Sequence, residues 1–340
     1  MSRSPDGTVL VTGGGGFIGT YVVRDLLERG RQVCIYGSGG PAGERRYVLG
    51  GAADAVAVER GSIDDLPRLV DVVKRHRPTA IVHLAGIVDT LALAPNPYLA
   101  LRVNLQGTVN VFEAARLFDV ARVVNVSSIG VLPTVQYEPI DAAHPLVLAT
   151  EGPGSGAYGA AKAAGELFGF AYGGAYGLDV RTIRPSAVYG FGMQWHSANY
   201  MKQFVEPAVR GEAVRLPSGG PLPRDYTHVL DVATLIAAVL EGPDDADRTF
   251  YAATGELLVT AAQAARMVMD LVPGSSIEIA DVLGPDDMIE TAFRGVLSIE
   301  NARTQLGWQP VYRSLREGIA EYIARYRAFL EAGGIGDDGR

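Results

Sequence analysis

The chain has 340 residues, 48% of them hydrophobic and 20% charged, with a formal net charge of −8. That composition is globular rather than disordered, and it offers neither a basic footprint for nucleic acid nor a polybasic run for a membrane surface. No apolar run reaches the ~20 residues that span a bilayer, and the first seven residues lack the apolar core of a signal peptide, so a cytoplasmic protein is expected.

Apolar runs of strand length then alternate with helical patterns. Strands are expected at Thr8–Thr12, Gln32–Tyr36, Ala55–Glu59, Ala80–Leu84, Arg122–Val126 and Asp179–Ile183. Short, unbroken apolar runs are how strands read when both faces are covered. The single cysteine, Cys34, sits inside the second of these as a structural thiol with no disulfide partner. Helices are expected at Ile18–Arg29, Asp65–Arg75, Tyr98–Phe118 and Ala157–Tyr176, and in Asp65–Arg75 Leu66, Leu69, Val70 and Val73 share a face. The alternation demands right-handed crossovers, hence an α/β fold with a Rossmann-type, doubly wound parallel sheet.

After Arg184-Pro185 the alternation loosens. Helical patterns cover Asn199–Arg210, Ala261–Leu271 and Ser314–Glu331, while Thr227–Glu241 and a strand near Arg248–Ala252 return to the sheet. The expected organisation is a cofactor domain from 1–185 plus about 227–255. A smaller, discontinuous substrate domain takes about 186–226 plus 256–332, and 333–340 form a frayed tail. Met193, Trp195, Tyr200 and Phe204 follow the boundary and either line the substrate pocket or fill the core.

Two motifs carry chemistry. In the first, Gly13, Gly16 and Gly19 end a strand and open a helix. Glycine there permits a tight turn, close approach to a pyrophosphate and close helix–sheet packing, and the helix N-terminus offers free N–H groups to phosphates. A carboxylate normally ends the second strand and binds the ribose 2′-hydroxyl. Here that end reads Gly37-Ser38-Gly39-Gly40, with Arg45 and Arg46 beyond it. The arginines are either partners for a 2′-phosphate or solvated loop charges, so NAD and NADP stay open.

The second motif pairs Tyr158 with Lys162, one helical turn apart on the same face. A free tyrosine titrates near ~10, too high for a base at neutral pH. A nearby ammonium and an oxidised nicotinamide are expected to bring it down. Ser128, at the end of the strand through Val126, can hold a substrate hydroxyl or carbonyl beside Tyr158. The five histidines are scattered and suggest no metal site.

These motifs, with His83-Leu-Ala-Gly86, Asn104-Leu-Gln-Gly-Thr108, Arg184-Pro185, Arg224-Asp-Tyr-Thr-His228 and Leu306-Gly-Trp-Gln-Pro310, resemble the extended short-chain dehydrogenases/reductases of the NAD-dependent epimerase/dehydratase family. The resemblance covers nearly the whole chain. It implies Ser128, Tyr158 and Lys162 as the catalytic trio and Asn104 as a polar support near the cofactor. It implies cofactor contacts from Gly13, Gly16, Phe17, Ile18, Gly19, Gly37, Ser38, Ser62, Ile63, Leu84, Ala85, Gly86 and Pro185. Asn199 and Arg224 match positions that contact substrate phosphates in nucleotide-sugar members.

Several positions depart from the family pattern. The Asp-Glu pair of 4,6-dehydratases is replaced by Ile129-Gly130, which also removes the cysteine of fucose-type epimerase–reductases. A lysine of some 4-epimerases is Val88, and the usual acid near the adenine is Ser62. The second arginine of the phosphate clamp is absent around Leu283–Asp287, and the long loop before Tyr158 carries Leu132, Tyr137, Val147 and Leu148.

The leading expectation is an NAD(P)-dependent epimerase or dehydrogenase of a sugar or nucleotide sugar. One alternative is a ketoreductase of a more apolar substrate. Another is a non-catalytic cofactor-binding protein, whose signature would be loss of the tyrosine or lysine; both are present. Family members dimerise through two long helices, which here carry Leu101, Leu105, Val109 and Phe112 on the first and Leu167, Phe168 and Phe170 on the second. A homodimer is therefore expected.

Overall fold

Seven strands form one sheet: β1 (Val9–Thr12), β2 (Val33–Gly37), β3 (Ala57–Arg60), β4 (Ala80–His83), β5 (Arg122–Val126), β6 (Val180–Pro185) and β7 (Thr249–Ala252). These come from a computed structural model that describes residues 7–132, 134–147, 156–194, 200–284, 291 and 294–334. The spatial order is 3-2-1-4-5-6-7, with every neighbouring pair parallel. Strand order reverses between β1 and β4, whose ends pair Thr12 with His83. In such sheets the crevice outside the carboxyl ends at this reversal is where ligands bind.

Both faces of the sheet are covered, as the apolar strands require. Side chains alternate along β1: Val9 and Val11 join the core under α1 (Phe17–Glu28), whereas Leu10 joins Leu69, Val72 and Val73 of α2 (Leu66–His76). Val111 and Phe112 of α3 (Gly107–Leu117) lie on the α2 side, and α4 (Ala157–Tyr176) packs beside them, with Gly169 close to Phe112 and Val180. Beyond β6, α5 (Met201–Arg210), α7 (Ala261–Leu271) and α8 (Leu315–Glu331) pack on one another, while α6 (Val229–Glu241) returns to the α1 side. Three two-stranded pairings complete this half, one of which aligns Tyr226–His228 with Ala187–Tyr189.

Three expectations change. The β3 strand is an edge and mostly exposed, so it needs only one neighbour and not two covered faces. Leu66 does not join the buried face of α2; Val72 lies there with Leu69 and Val73, and Val70 packs half-buried against the same cluster. The helix expected from Tyr98 to Phe118 is broken into Pro97–Leu99, a wider π-helical stretch at Ala100–Gln106, and α3. Such wide turns concentrate at functional sites. Here the stretch carries Asn104, fully buried, onto the loop after β4. Trp195, Leu148, Asn199 and residues 335–340 lie outside the described residues, so the pocket-lining, loop, substrate-contact and tail expectations there have no structural counterpart. Met193 and Phe204 are core.

Arg122 ties the sheet to α6. It is 1% exposed, and it donates from Nε to Asp179 (2.8 Å) and from Nη1 to the carbonyls of Val239 (2.7 Å) and Gly242 (2.7 Å) at the end of α6. One guanidinium thus satisfies carbonyls that a helix C-terminus leaves open. Replacing it by methionine leaves Asp179 to Arg181 alone and strands those carbonyls, so urea unfolding should show a loss of about 2–4 kcal/mol. A loss below about 1 kcal/mol would show that water serves those groups equally well.

Candidate active site

The loop from β1 to α1 is shaped by its glycines. Gly13 has φ +72, and a Cβ there would lie 2.7 Å from the Ala85 nitrogen, so the loop after β4 presses directly on it. A Cβ on Gly19 would overlap the Gly13 carbonyl. Gly16 precedes α1 with no side-chain cap, leaving first-turn N–H groups for a ligand. Phe17 and Ile18 are half-buried against the core, and Phe17 meets Tyr21 edge-on.

Gly37 sits across from this loop. The Gly13 N–H donates to the Tyr36 carbonyl (2.8 Å), and a Cβ at 37 would stand 3.8 Å from the Gly13 nitrogen, so there is room for a larger group. Ser38 is exposed. Arg46 forms an exposed ion pair with Asp54, and Arg45 packs at Gly192. The Tyr36 hydroxyl donates to the Ser62 carbonyl (2.8 Å). Ile63 is buried against Gly107, and its carbonyl accepts from Asn110.

A buried network links the strand ends. Thr108 donates to the Asn104 carbonyl, which leaves its oxygen to accept from His83 Nε2 (3.0 Å), so Nδ1 accepts from Thr12 Oγ1 (2.7 Å). His83 is fully buried, and burial together with Lys162 pushes its pKa down to about 3, so it is neutral. Asn104 closes the loop after β4, accepting from Ile87 N–H (2.8 Å) and donating to the Ile87 carbonyl (2.9 Å). Between them Leu84 donates to the Thr12 carbonyl, Ala85 meets Thr12, and Gly86 lies beside Asn104 and the Lys162 Nζ.

Ser128 follows β5 and starts a short turn in which its Oγ accepts from Gly130 N–H (3.0 Å). Its Oγ and the Tyr158 ring both lie against Gly130. The Lys162 Nζ donates to the Val126 carbonyl (2.9 Å). Burial lowers the Lys162 pKa to about 8, against the opposing pull of Glu166. The trio therefore converges, but the expected electrostatics run differently. Burial raises the Tyr158 pKa, only Ser128 opposes it, and Lys162 spends its proton on a backbone carbonyl. Desolvation outweighs the charge partner that helical spacing suggested.

Three features escaped the sequence reading. Glu166 lies one further turn along α4 and is clamped by Arg184, whose Nη2 is 2.6 Å from its Oε2. The i+4 spacing from Lys162 was the available signal. Asp225 accepts from Ser186, Thr227 and Thr254, joining the ends of β6 and β7 beside the buried Pro185. Finally, Arg294 lines a cleft with Asp225, the residue after Arg224, so a second arginine lies in this region although none stands near Leu283–Asp287 in the sequence. Its signal was the Arg-Gly pair at 294–295, met without the usual acid. Arg224 also lies over the Tyr200 ring, and Arg224, Tyr226 and Val259 line a cavity of about 300 Å³ that excludes the trio.

These residues fit a dinucleotide. A side chain on Gly13 or Gly19 would fill the cradle, and the Ser127 hydroxyl is buried with no hydrogen bond among the described residues. Among those residues no helix is long and apolar enough to cross a membrane, and no cluster of His, Cys, Asp or Glu could hold a metal.

Comparison with known proteins agrees with this geometry. Residues 9–253 match the model of the NAD dependent epimerase/dehydratase family. A UDP-glucose 4-epimerase of Mycolicibacterium smegmatis is 30% identical over 94% of this chain and 98% of its own. Among solved structures, a UDP-glucose 4-epimerase from Thermotoga maritima with UDP-glucose has a TM-score of 0.82 at 25% identity, covering 95% and 99% of the two chains. One from Thermus thermophilus in complex with NAD has 0.79 at 28% identity, covering 94% and 99%. The chain belongs to the NAD-dependent epimerase/dehydratase family and is an NAD(P)-dependent enzyme of the extended short-chain dehydrogenase/reductase type.

Proposed function

We propose that this enzyme is a 4-epimerase of a UDP-hexose, with Ser128, Tyr158 and Lys162 as its catalytic residues. The observation that carries the reading is that Ser128 Oγ and the Tyr158 ring converge at Gly130, with Lys162 anchored one turn away. A substrate hydroxyl seated between them would meet both side chains. As a phenolate, favoured by Lys162 and by the positive charge of a bound oxidised nicotinamide, Tyr158 would take that hydroxyl's proton as the carbon is oxidised and return it on reduction, while Ser128 holds the oxygen. A nicotinamide at the strand ends supplies the hydride acceptor and donor. Similarity to the two UDP-glucose epimerases supports the substrate class, as do Arg224 and Arg294 in the two cavities that meet at Asp225, cations that would neutralise a diphosphate.

The turn after Ser128 is Ile129-Gly130-Val131, with no acid to drive an elimination, which argues against a dehydratase. A ketoreductase acting on a less polar substrate is the second reading. It is favoured by the apolar cleft of Ile129, Leu132, Ile140 and Leu297. In either case residues 1–185 and about 227–255 hold the cofactor, and about 186–226 and 256–332 hold the substrate. Gly37 leaves space for a 2′-phosphate, so NADP is as acceptable as NAD.

Tyr158→Phe removes only the proton-transferring hydroxyl. Turnover of UDP-glucose to its C4 epimer should fall by ~10² to 10⁴, the usual worth of a general acid–base group, with nucleotide affinity retained. Unchanged turnover would remove Tyr158 from the chemistry.

The same reading includes a homodimer. Tyr98 and Leu101, with Leu167, Phe168, Phe170 and Tyr176 of α4, are all exposed, whereas Phe112 has gone into the core. A stripe of this size on two adjacent helices wants a partner, and a second copy offers the same stripe by two-fold symmetry. Light scattering at micromolar concentration should give twice the 36.0 kDa chain mass. A mass of one chain would contradict it.

A further inference from the structure

Glu166 has no place in the proton transfer described above, yet it is the most completely buried acid near it. Its side chain is 0% exposed, and Arg184 holds it through Nε (3.1 and 3.2 Å) and Nη2 (2.6 Å). Arg184 is itself fixed behind, donating from Nη1 to the Tyr251 hydroxyl (2.8 Å). Burying such a pair is expensive, and an apolar pair of similar volume often packs as well or better. Its position is what distinguishes it: Tyr158, Lys162 and Glu166 are successive i, i+4, i+8 residues on one face of α4.

We propose that Glu166, locked by Arg184, is a positioning residue for Lys162: a fixed counter-charge one helical turn along that keeps the buried lysine an ammonium. This rests on the reading of Lys162 as catalytic. The groups around Lys162 leave Glu166 alone in that task. On its own helix the other titratable neighbour is Tyr158, a phenol whose pKa is raised by burial. From β4 comes His83, which is neutral. From β5 comes the Val126 carbonyl, a dipole that accepts one proton, and from the π-helical turns comes the neutral Asn104 amide beside Gly86. Arg184 and Tyr251 from β6 and β7 face Glu166. Burial works against the ammonium, and Glu166 is the group that opposes it.

A purely structural ion pair and a positioning pair differ in what they do to Lys162. The test is a pH titration of the Lys162 Cε resonance in protein carrying ¹³Cε-lysine, assigned by its loss in Lys162→Arg. In Glu166→Gln the Lys162 midpoint should fall by a unit or more, and the alkaline limb of kcat/KM should move down with it. Glu166→Asp, which keeps the charge, should restore much of both. If the single variant fails to fold, the double variant Glu166→Met/Arg184→Met leaves no unpaired charge and should show the same fall. An unchanged Lys162 midpoint in a folded variant overturns the proposal. The resonance reports on Lys162 without turnover, so a wrong substrate assignment would leave this result standing, and a failure here would leave the epimerase reading intact.

Discussion

An ammonium held out of water is the constraint on which the site depends. Lys162 sits inside the protein with its pKa pulled from 10.5 to about 8. At ~1.4 kcal/mol per unit, that displacement costs on the order of 3 kcal/mol. The cost is tolerable only where every neighbour is neutral or negative and every donor finds an acceptor. Much of the surrounding architecture meets that requirement. His83 is kept neutral by burial and by Lys162 itself, the Val126 carbonyl turns toward α4 at the end of its strand, and Glu166 waits one turn on with its own arginine.

The same strand ends define the cofactor crevice. Gly13 brings the β1 loop onto Ala85, and Thr12 and His83, paired across β1 and β4, anchor the loop that carries Leu84, Ala85 and Gly86. Asn104 then pins that loop at Ile87 from the π-helical turns. The loop after β1 and the loop after β4 are therefore built on one hydrogen-bonded frame rather than independently. Rigid support of this kind is what proton transfer at fixed geometry requires.

Much of this was legible in the sequence for physical reasons. Parallel strands covered on both faces must read as apolar runs, so the doubly wound parallel sheet followed from pattern, and the glycine loop and Tyr-Lys pair followed from their motifs. The serine, tyrosine and lysine do meet. What was not legible had equally physical causes. The edge strand β3 breaks the covered-strand rule because an edge has one neighbour. The π-helical stretch has no periodic signature over seven residues. The sign of the Tyr158 shift depended on depth of burial, which spacing cannot report. Arg294 lies seventy residues beyond Arg224 and comes into one cleft with Asp225 only through the fold. Glu166 was four residues from a recognised lysine, but its meaning depended on Arg184 arriving from β6.

The central claim is that Ser128, Tyr158 and Lys162 support removal and return of a hydride at one sugar carbon. UDP-glucose deuterated at C4 tests it directly, with the C4 epimer recovered and examined by mass spectrometry and NMR. The account predicts that deuterium stays at C4 of the product, because the hydrogen leaves and returns within the closed site without meeting water. Loss of the label to solvent would mean a deprotonation at carbon instead, and would contradict the account.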